Sequence, residues 1–302
     1  DVCSSDLTGF AWYLLGHSQY RWNAITQISD LVGGYGVSFL VMMVNAAIAS
    51  VVPVSWLRRV DLVPADLNPV EQVRLESTSR ERILTVTAAL AVFASSWVYG
   101  VVRSSIVFEA GPRVGLLQGN FPSSIHRDPD QDEKIFTTYR QLNGLAVQHQ
   151  AEIIVWPESM MPYMMLEARP ELSDRQLADL HPLIPAERWK DRTVQTVLSN
   201  MAEESRASLI VGVGTFAEEN STARRYNSAA FVQGSGIQGR YDKIHRVPFG
   251  EYTPLKDSLP FLNSFTPYAE MSGLDAGKSV GVFRHKSARL LPLICFEDTV
   301  PH

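Results

Sequence analysis

Two stretches of the chain carry no charge. Every residue from Leu31 to Leu57 and every residue from Ile83 to Val102 is uncharged, and Asp30, Arg58, Arg82 and Arg103 bound the two runs. About 20 helical residues, rising about 1.5 Å each, cross the roughly 30 Å apolar core of a bilayer. Both runs therefore predict transmembrane helices, over 31–57 and 83–103. A buried helix of a soluble protein is the alternative, but such helices usually keep a polar face. Gly33, Gly34, Gly36 and Ser38 suit close helix packing in lipid. Gly9 to Tyr20 is apolar and aromatic but short and broken by Gly16 and His17. It reads as an interfacial segment, making 1–30 an extracytoplasmic or interfacial lead-in.

From Pro112 onward the pattern alternates between strands and helices. Val114 to Gln118 reads as a buried strand. Asp132 to Gln150 reads as an amphipathic helix with Ile135, Tyr139, Leu142 and Ala146 on one stripe. Ile153 to Trp156 is the next strand, stopped by Pro157, and a helix over Thr193 to Ala207 precedes a strand over Leu209 to Val213. Asn227 to Gln233 and Ile237 to Tyr241 flank Gly234-Ser235-Gly236, a hairpin signal. Val280 to Arg284 and Leu290 to Ile294 complete the set of strands, and Glu167 to Arg192 reads as a surface excursion. The pattern predicts a layered α/β domain with a mixed sheet over 112–302.

Charge then orients the chain. The loop 58–82 holds Arg58, Arg59, Arg74, Arg80 and Arg82, whereas only Arg21 precedes the first run. Arginine-rich short loops stay cytoplasmic, which places everything after Val102 on the far side of the membrane. The chain begins without Met and reads as a piece of something longer. Its net charge of -5 offers no basic footprint for nucleic acid. Two cysteines, Cys3 and Cys295, are too few for a disulfide framework. The seven histidines form no metal-ligand spacing, so no metal or cofactor is expected.

Three strand-like runs each deliver one reactive side chain. Glu158 follows Ile153-Ile154-Val155-Trp156-Pro157, Lys243 follows Arg240-Tyr241-Asp242, and Cys295 follows Leu291-Pro292-Leu293-Ile294. A carboxylate, an ammonium and a thiol are the parts of an acyl-transfer site: base, oxyanion partner and nucleophile. Taken singly, each has a bland reading as a solvated Glu, a surface Lys or a core thiol. Glu297 and Asp298 beside Cys295 disfavour a thiolate unless a cation offsets them, and Lys243 is the available cation.

In combination the residues resemble the nitrilase superfamily, and within it the apolipoprotein N-acyltransferase family. The likeness is carried by Val155-Trp156-Pro157-Glu158, by Tyr241-Asp242-Lys243 running into Val247-Pro248-Phe249-Gly250-Glu251-Tyr252-Thr253-Pro254, and by Ile294-Cys295-Phe296-Glu297-Asp298. Gly34-Tyr35-Gly36-Val37-Ser38-Phe39 resembles a membrane span of that family, and Gln118-Gly119-Asn120 the start of its extracytoplasmic domain. The resemblance implies an α-β-β-α sandwich, incomplete at its C-terminal end, preceded by two transmembrane helices. It also implies Cys295 as nucleophile, Glu158 as base and Lys243 as oxyanion stabiliser, supported by Glu251 and Glu297. The reaction implied is transfer of a fatty acyl chain from a phospholipid to the α-amine of a diacylglyceryl-cysteine apolipoprotein, at the outer face of a bacterial inner membrane. Met160, Met161, Tyr163, Met164, Met165 and Leu166 are candidates to line a lipid-facing mouth, with Phe261 and Phe265 as a lid. Two departures stand out: Ile125-His126-Arg127 where the family commonly has a Trp, and Phe296 where a Tyr is frequent. A membrane-tethered amidase acting on a small amide, or a non-catalytic assembly protein, are the alternative readings.

Overall fold

The computed structural model describes residues 14–60, 78–121, 129–253 and 273–299. They divide into two units, one ending at Glu109 and one beginning at Ala110.

The first unit is helical. A 3-10 turn (Leu15–Gln19) and a short helix α1 (Asn23–Thr26) precede α2 (Ser29–Val51), α3 (Val54–Arg59) and α4 (Ser79–Ser104). α2 and α4 have mean hydropathies of 1.8 and 1.6 over their apolar windows and are long and apolar enough to cross a membrane. The uncharged run 31–57 is not one helix. Helix α2 stops at Val51 and Pro53 intervenes before α3, because proline has no N–H to donate and clashes with the preceding turn. The backbone also leaves helical geometry at Gly33, at φ 64°, a conformation glycine reaches at little cost. α4 starts on a capping box: the Thr78 hydroxyl accepts from the Glu81 N–H at 3.2 Å and the Glu81 carboxylate accepts from the Thr78 N–H at 2.7 Å. At the other end of α4, Tyr99 and Arg103 donate to Asp30 at 2.8 and 2.7 Å, joining α2 to α4.

The second unit is the predicted α/β domain. Its elements in order are β1 (Val114–Leu116), α5 (Pro129–Gln148), β2 (Ile153–Val155), β3 (Met161–Glu167), α6 (Asp174–Leu180), α7 (Ala186–Lys190), α8 (Thr193–Ser205), β4 (Ser208–Glu219), β5 (Thr222–Gln233), β6 (Gly236–Asp242), β7 (Phe283–His285) and β8 (Ala288–Leu290). A mixed sheet runs β1-β2-β4-β5-β6, with β3 also paired to β4. β1, β2 and β3 are parallel to their neighbours, whereas β4, β5 and β6 form an antiparallel meander.

Period-two alternation sorts the sheet's side chains. Leu209, Val211, Val213, Ala230 and Val232 turn to one face and pack with Ile135 and Tyr139 of α5 and Leu198, Met201 and Ala202 of α8. Ala229, Phe231 and Tyr241 turn to the other and pack with Phe283 and Ile294. The second face is thus covered by the β7–β8 hairpin, which among the described residues forms the second sheet layer. Phe231 and Phe283 stack at 5.1 Å across that layer.

Three local expectations need correction. Leu291 to Ile294 is not a strand; β8 ends at Leu290 and the chain continues without sheet pairing to Cys295. Glu167 to Arg192 is not a plain excursion: α6 and α7 bury Leu177, Leu180 and Trp189 in a small core of their own with Leu166. The stretch Met161 to Glu167 is a strand, and Met161 and Met165 lie in the main core at 3% and 0% exposure. Met161 and Met165 thus pack under α5 and α8, whereas Met164 and Leu166 belong to the smaller core with α6 and α7.

Candidate active site

Glu158 sits in the gap between two strands that share one neighbour. β2 pairs with the first residues of β4 and β3 with later ones, so the edge along β4 is interrupted at Pro157–Met160. An interruption of this kind re-aims a side chain out of the sheet. Ser159 takes up a left-handed φ of 57° within it. The crossing is tight. A Cβ on Gly212 of β4 would lie 2.2 Å from the Pro157 carbonyl oxygen and 2.7 Å from the Glu158 Cα.

Lys243 follows the last residue of β6 and is tied to β5 by its backbone N–H, which donates to the Asn227 carbonyl at 2.9 Å. Its side chain is 1% exposed. A buried ammonium is tolerable only when paired, and Nζ lies 2.8 Å from Glu251 Oε1 and 3.7 Å from Glu158 Oε1. Glu251 Oε2 in turn accepts from the Val247 N–H at 2.9 Å, which fixes the carboxylate that fixes the lysine. Arg246, over the Tyr252 ring at 4.3 Å and donating to the Leu274 carbonyl at 2.7 Å, fastens the same loop.

Cys295 begins a 3-10 turn, Cys295–Thr299, at a left-handed φ of 55°. A non-glycine residue in that region costs of order 1–3 kcal/mol and persists where its surroundings hold it. Glu297 does the holding. Buried at 4% exposure, it accepts from the Ile294 N–H at 2.9 Å, from Tyr241 Oη at 2.7 Å, and from the Ile244 and His245 N–H groups at 2.7 and 3.0 Å. One carboxylate thereby joins the cysteine turn to the end of β6 beside Lys243. Its negative charge and burial push the Tyr241 phenol well above its ordinary value, burial being the larger cause.

The three reactive residues predicted from sequence converge on one side of the sheet. Glu158 and Cys295 line one cavity of about 510 Å³, with Trp156, Ile210, Gly212, Ala229 and Leu293 among its walls, and Lys243 stands beside Glu158. Sequence reasoning missed Asn227, whose Nδ2 donates to Glu158 Oε1 at 2.6 Å, and Tyr241 as the partner of Glu297. Neither had a local signal beyond lying in a predicted strand with the parity of the active face.

The other candidates are placed differently. Met160 and Met164 are partly buried against the two cores. Tyr163 is 38% exposed and donates to Glu133 at 3.1 Å. Phe261, Phe265 and Arg127 lie outside the described residues, as does Cys3. Among the described residues no cluster of His, Cys, Asp and Glu fits a metal ion.

Comparison with known proteins bears on the same segments. The family model for the apolipoprotein N-acyltransferase N-terminal domain matches residues 2–47, and that for carbon-nitrogen hydrolase matches residues 113–302. The apolipoprotein N-acyltransferase of Geobacter metallireducens is 30% identical over 98% of this chain and 49% of its own length. That of Rhodopirellula baltica is 28% identical over 97% of this chain and 52% of its own. The chain thus spans about half the length of these curated relatives. Among solved structures, an amidase from Nesterenkonia sp. AN1 is similar at TM-score 0.38 and 13% identity, covering 62% of this chain and 58% of the amidase. A CN-hydrolase superfamily protein from Xanthomonas campestris is similar at TM-score 0.34 and 16% identity, over 63% and 55%. With the carbon-nitrogen hydrolase match extending over more than half of its residues, the chain belongs to the carbon-nitrogen hydrolase family.

Proposed function

We propose that the protein transfers a fatty acyl chain from a phospholipid to the N-terminal α-amine of a diacylglyceryl-cysteine apolipoprotein, through a thioester on Cys295. The observation that carries the reading is the convergence of Glu158 and Cys295 on one cavity, with the Lys243 ammonium beside Glu158. The similarity to apolipoprotein N-acyltransferases supports the choice of substrates.

Glu158 takes the Cys295 proton, and the thiolate adds to the ester carbonyl of the phospholipid. Lys243 donates to the resulting oxyanion; its ammonium carries three hydrogens, one of them directed at Glu251. Collapse breaks the ester C–O bond, and the departing lysophospholipid oxygen takes the proton back from Glu158. The apolipoprotein amine then adds to the thioester carbonyl and gives its proton to Glu158. Expulsion of the thiolate, reprotonated by Glu158, leaves an amide and regenerates Cys295. Each half-reaction uses the same base in both directions, the hallmark of ping-pong transfer.

Both substrates are membrane lipids, which gives α2 and α4 a purpose: they hold the site at the bilayer surface. The arginines of loop 58–82 support a cytoplasmic loop, with the catalytic unit on the outer face of a bacterial inner membrane and further spans making the protein multi-pass. The test is acyl transfer in nanodiscs from phosphatidylethanolamine to a synthetic diacylglyceryl-cysteine peptide, read by mass. An N-acylated product that disappears with Cys295→Ala supports the reading. Hydrolysis of small amides without transfer to the peptide overturns it in favour of an amidase.

A further inference from the structure

The β7–β8 hairpin pairs only with itself among the described strands, yet five residues after β8 the chain reaches Cys295. What holds the hairpin therefore helps decide where the thiol lies. At the turn between its strands, His285 is 8% exposed and its Nδ1 lies 2.8 Å from the hydroxyl of Ser208, itself 4% exposed at the start of β4. Gln233, at the end of β5, donates to the same hydroxyl at 3.2 Å. The hydroxyl has one hydrogen to give and two lone pairs, so it can meet Nδ1 in either tautomer while accepting from Gln233. The other ring nitrogen, Nε2, lies 3.9 Å from Glu152 Oε2, beyond hydrogen-bond distance. Glu152 is itself held by Lys286 of the hairpin turn and by the Arg113 N–H at 3.2 Å.

Ser208, His285 and Glu152 have the composition of a hydrolytic triad, but the hydroxyl is enclosed at the base of the sheet, where it bonds the hairpin to β4 and β5. Between β8 and Cys295 the chain borders open space on one side, with Ile294 packed into the core under the hairpin. Arg289 to Cys295 form one wall of the 510 Å³ cavity, and Val155, Ile210 and Gly212 lie on the opposite side. Leu291 and Leu293 are each 56% exposed and outside any strand. The segment is a strap with an anchor at each end: Glu297 at the cysteine turn, and the His285–Ser208 contact at the hairpin turn.

We propose that His285 and Ser208 are positioning residues, a clamp that sets the height of the strap and hence of Cys295 over Glu158. The inference rests on Cys295 being the nucleophile. It is tested in a Cys3→Ser background by the iodoacetamide alkylation rate of Cys295, by kcat and KM for acyl transfer, and by melting temperature. His285→Leu and Ser208→Ala should each slow alkylation and lower kcat by about 10- to 100-fold, the loss expected from displacing a reacting group by about 1 Å, with KM unchanged. Combining them should add little, since both break one contact. His285→Asn, which places an amide where Nδ1 sat, should restore most of the rate, and Ser208→Ala keeps the test available if the leucine variant does not fold. Unchanged alkylation and kcat in Ser208→Ala and His285→Leu, or losses that follow melting temperature without rescue by Asn, would overturn the clamp. Alkylation needs no lipid substrate, so it reads the clamp even if acyl transfer proves to be the wrong activity.

Discussion

Deleting Glu251 and deleting Lys243 should have unequal consequences for the fold. Glu251→Ala leaves the ammonium of Lys243, 1% exposed, with only the more distant Glu158 at 3.7 Å among the described residues. Stranding a buried charge costs about 3–5 kcal/mol, so the melting temperature should fall sharply and turnover with it. Lys243→Met instead leaves the Glu251 carboxylate, 14% exposed and still accepting from the Val247 N–H, without its cation, so stability should fall by less than in Glu251→Ala while turnover is lost. Thermal melts paired with a transfer assay check both, and unchanged stability in Glu251→Ala would contradict the pairing. A second residue-scale effect concerns acid. Glu218, 3% exposed, accepts from Arg169 at 2.8 and 2.9 Å and from the Ser221 N–H at 3.0 Å. The Arg169 hydrogen bonds, then that of Ser221, hold its carboxyl below the ordinary 4.5. A depressed carboxylate stabilises the fold above its unfolded value and loses that contribution as pH falls through the folded one. Glu218→Gln should therefore flatten the decline in stability below about pH 4.5, measured by denaturant melts across pH. Glu158, Lys243 and Cys295 were legible from sequence because each follows a strand-like run within a short local motif. Asn227 was not, because it meets Glu158 across 69 residues of sequence, and Tyr241 meets Glu297 across 56. Such pairs exist only once the strands are registered.

At the scale of elements, the gap between β2 and β3 depends on a residue in their common neighbour. Gly212→Ala would drive a methyl into the Pro157 carbonyl, 2.2 Å away, and the Glu158 Cα, 2.7 Å away. The edge must shift and carry Glu158 with it, so kcat should drop by about 10²-fold while the core under α5 and α8, on the opposite face, keeps the far-ultraviolet circular dichroism unchanged. Loss of secondary structure with the activity would instead mark Gly212 as a folding requirement. The same geometry explains which elements the pattern revealed. β4 and β5 were found as short runs set off by a preceding helix and by the Gly234-Ser235-Gly236 turn; helices cover one face and the hairpin the other, so their buried residues follow one another without alternation. The run Met161 to Leu166 has apolar residues on consecutive positions and carries no such signature. α6 and α7 were hidden because their core is only a few residues, dispersed among prolines and charges. The segment before Cys295 looked like a strand through its apolar composition, which here lines a cavity and does not mark a pairing edge.

Across the whole molecule, the two long uncharged runs were readable because hydrocarbon penalises charge strongly, a constraint that acts on composition alone. Where α2 ends was less so, since Pro53 and the following Val54–Arg59 helix break a run that composition leaves continuous. The helices, the reactive trio and the family membership are tied together by one claim, that lipid acyl groups pass through a thioester on Cys295. Incubation with phospholipid in the absence of any amine acceptor, followed by intact-mass measurement, tests it most directly. The account predicts a single added acyl mass on Cys295, removed by neutral hydroxylamine and absent in Cys295→Ala and Glu158→Gln. An unmodified Cys295, or an adduct that survives hydroxylamine or persists in Cys295→Ala, would contradict it.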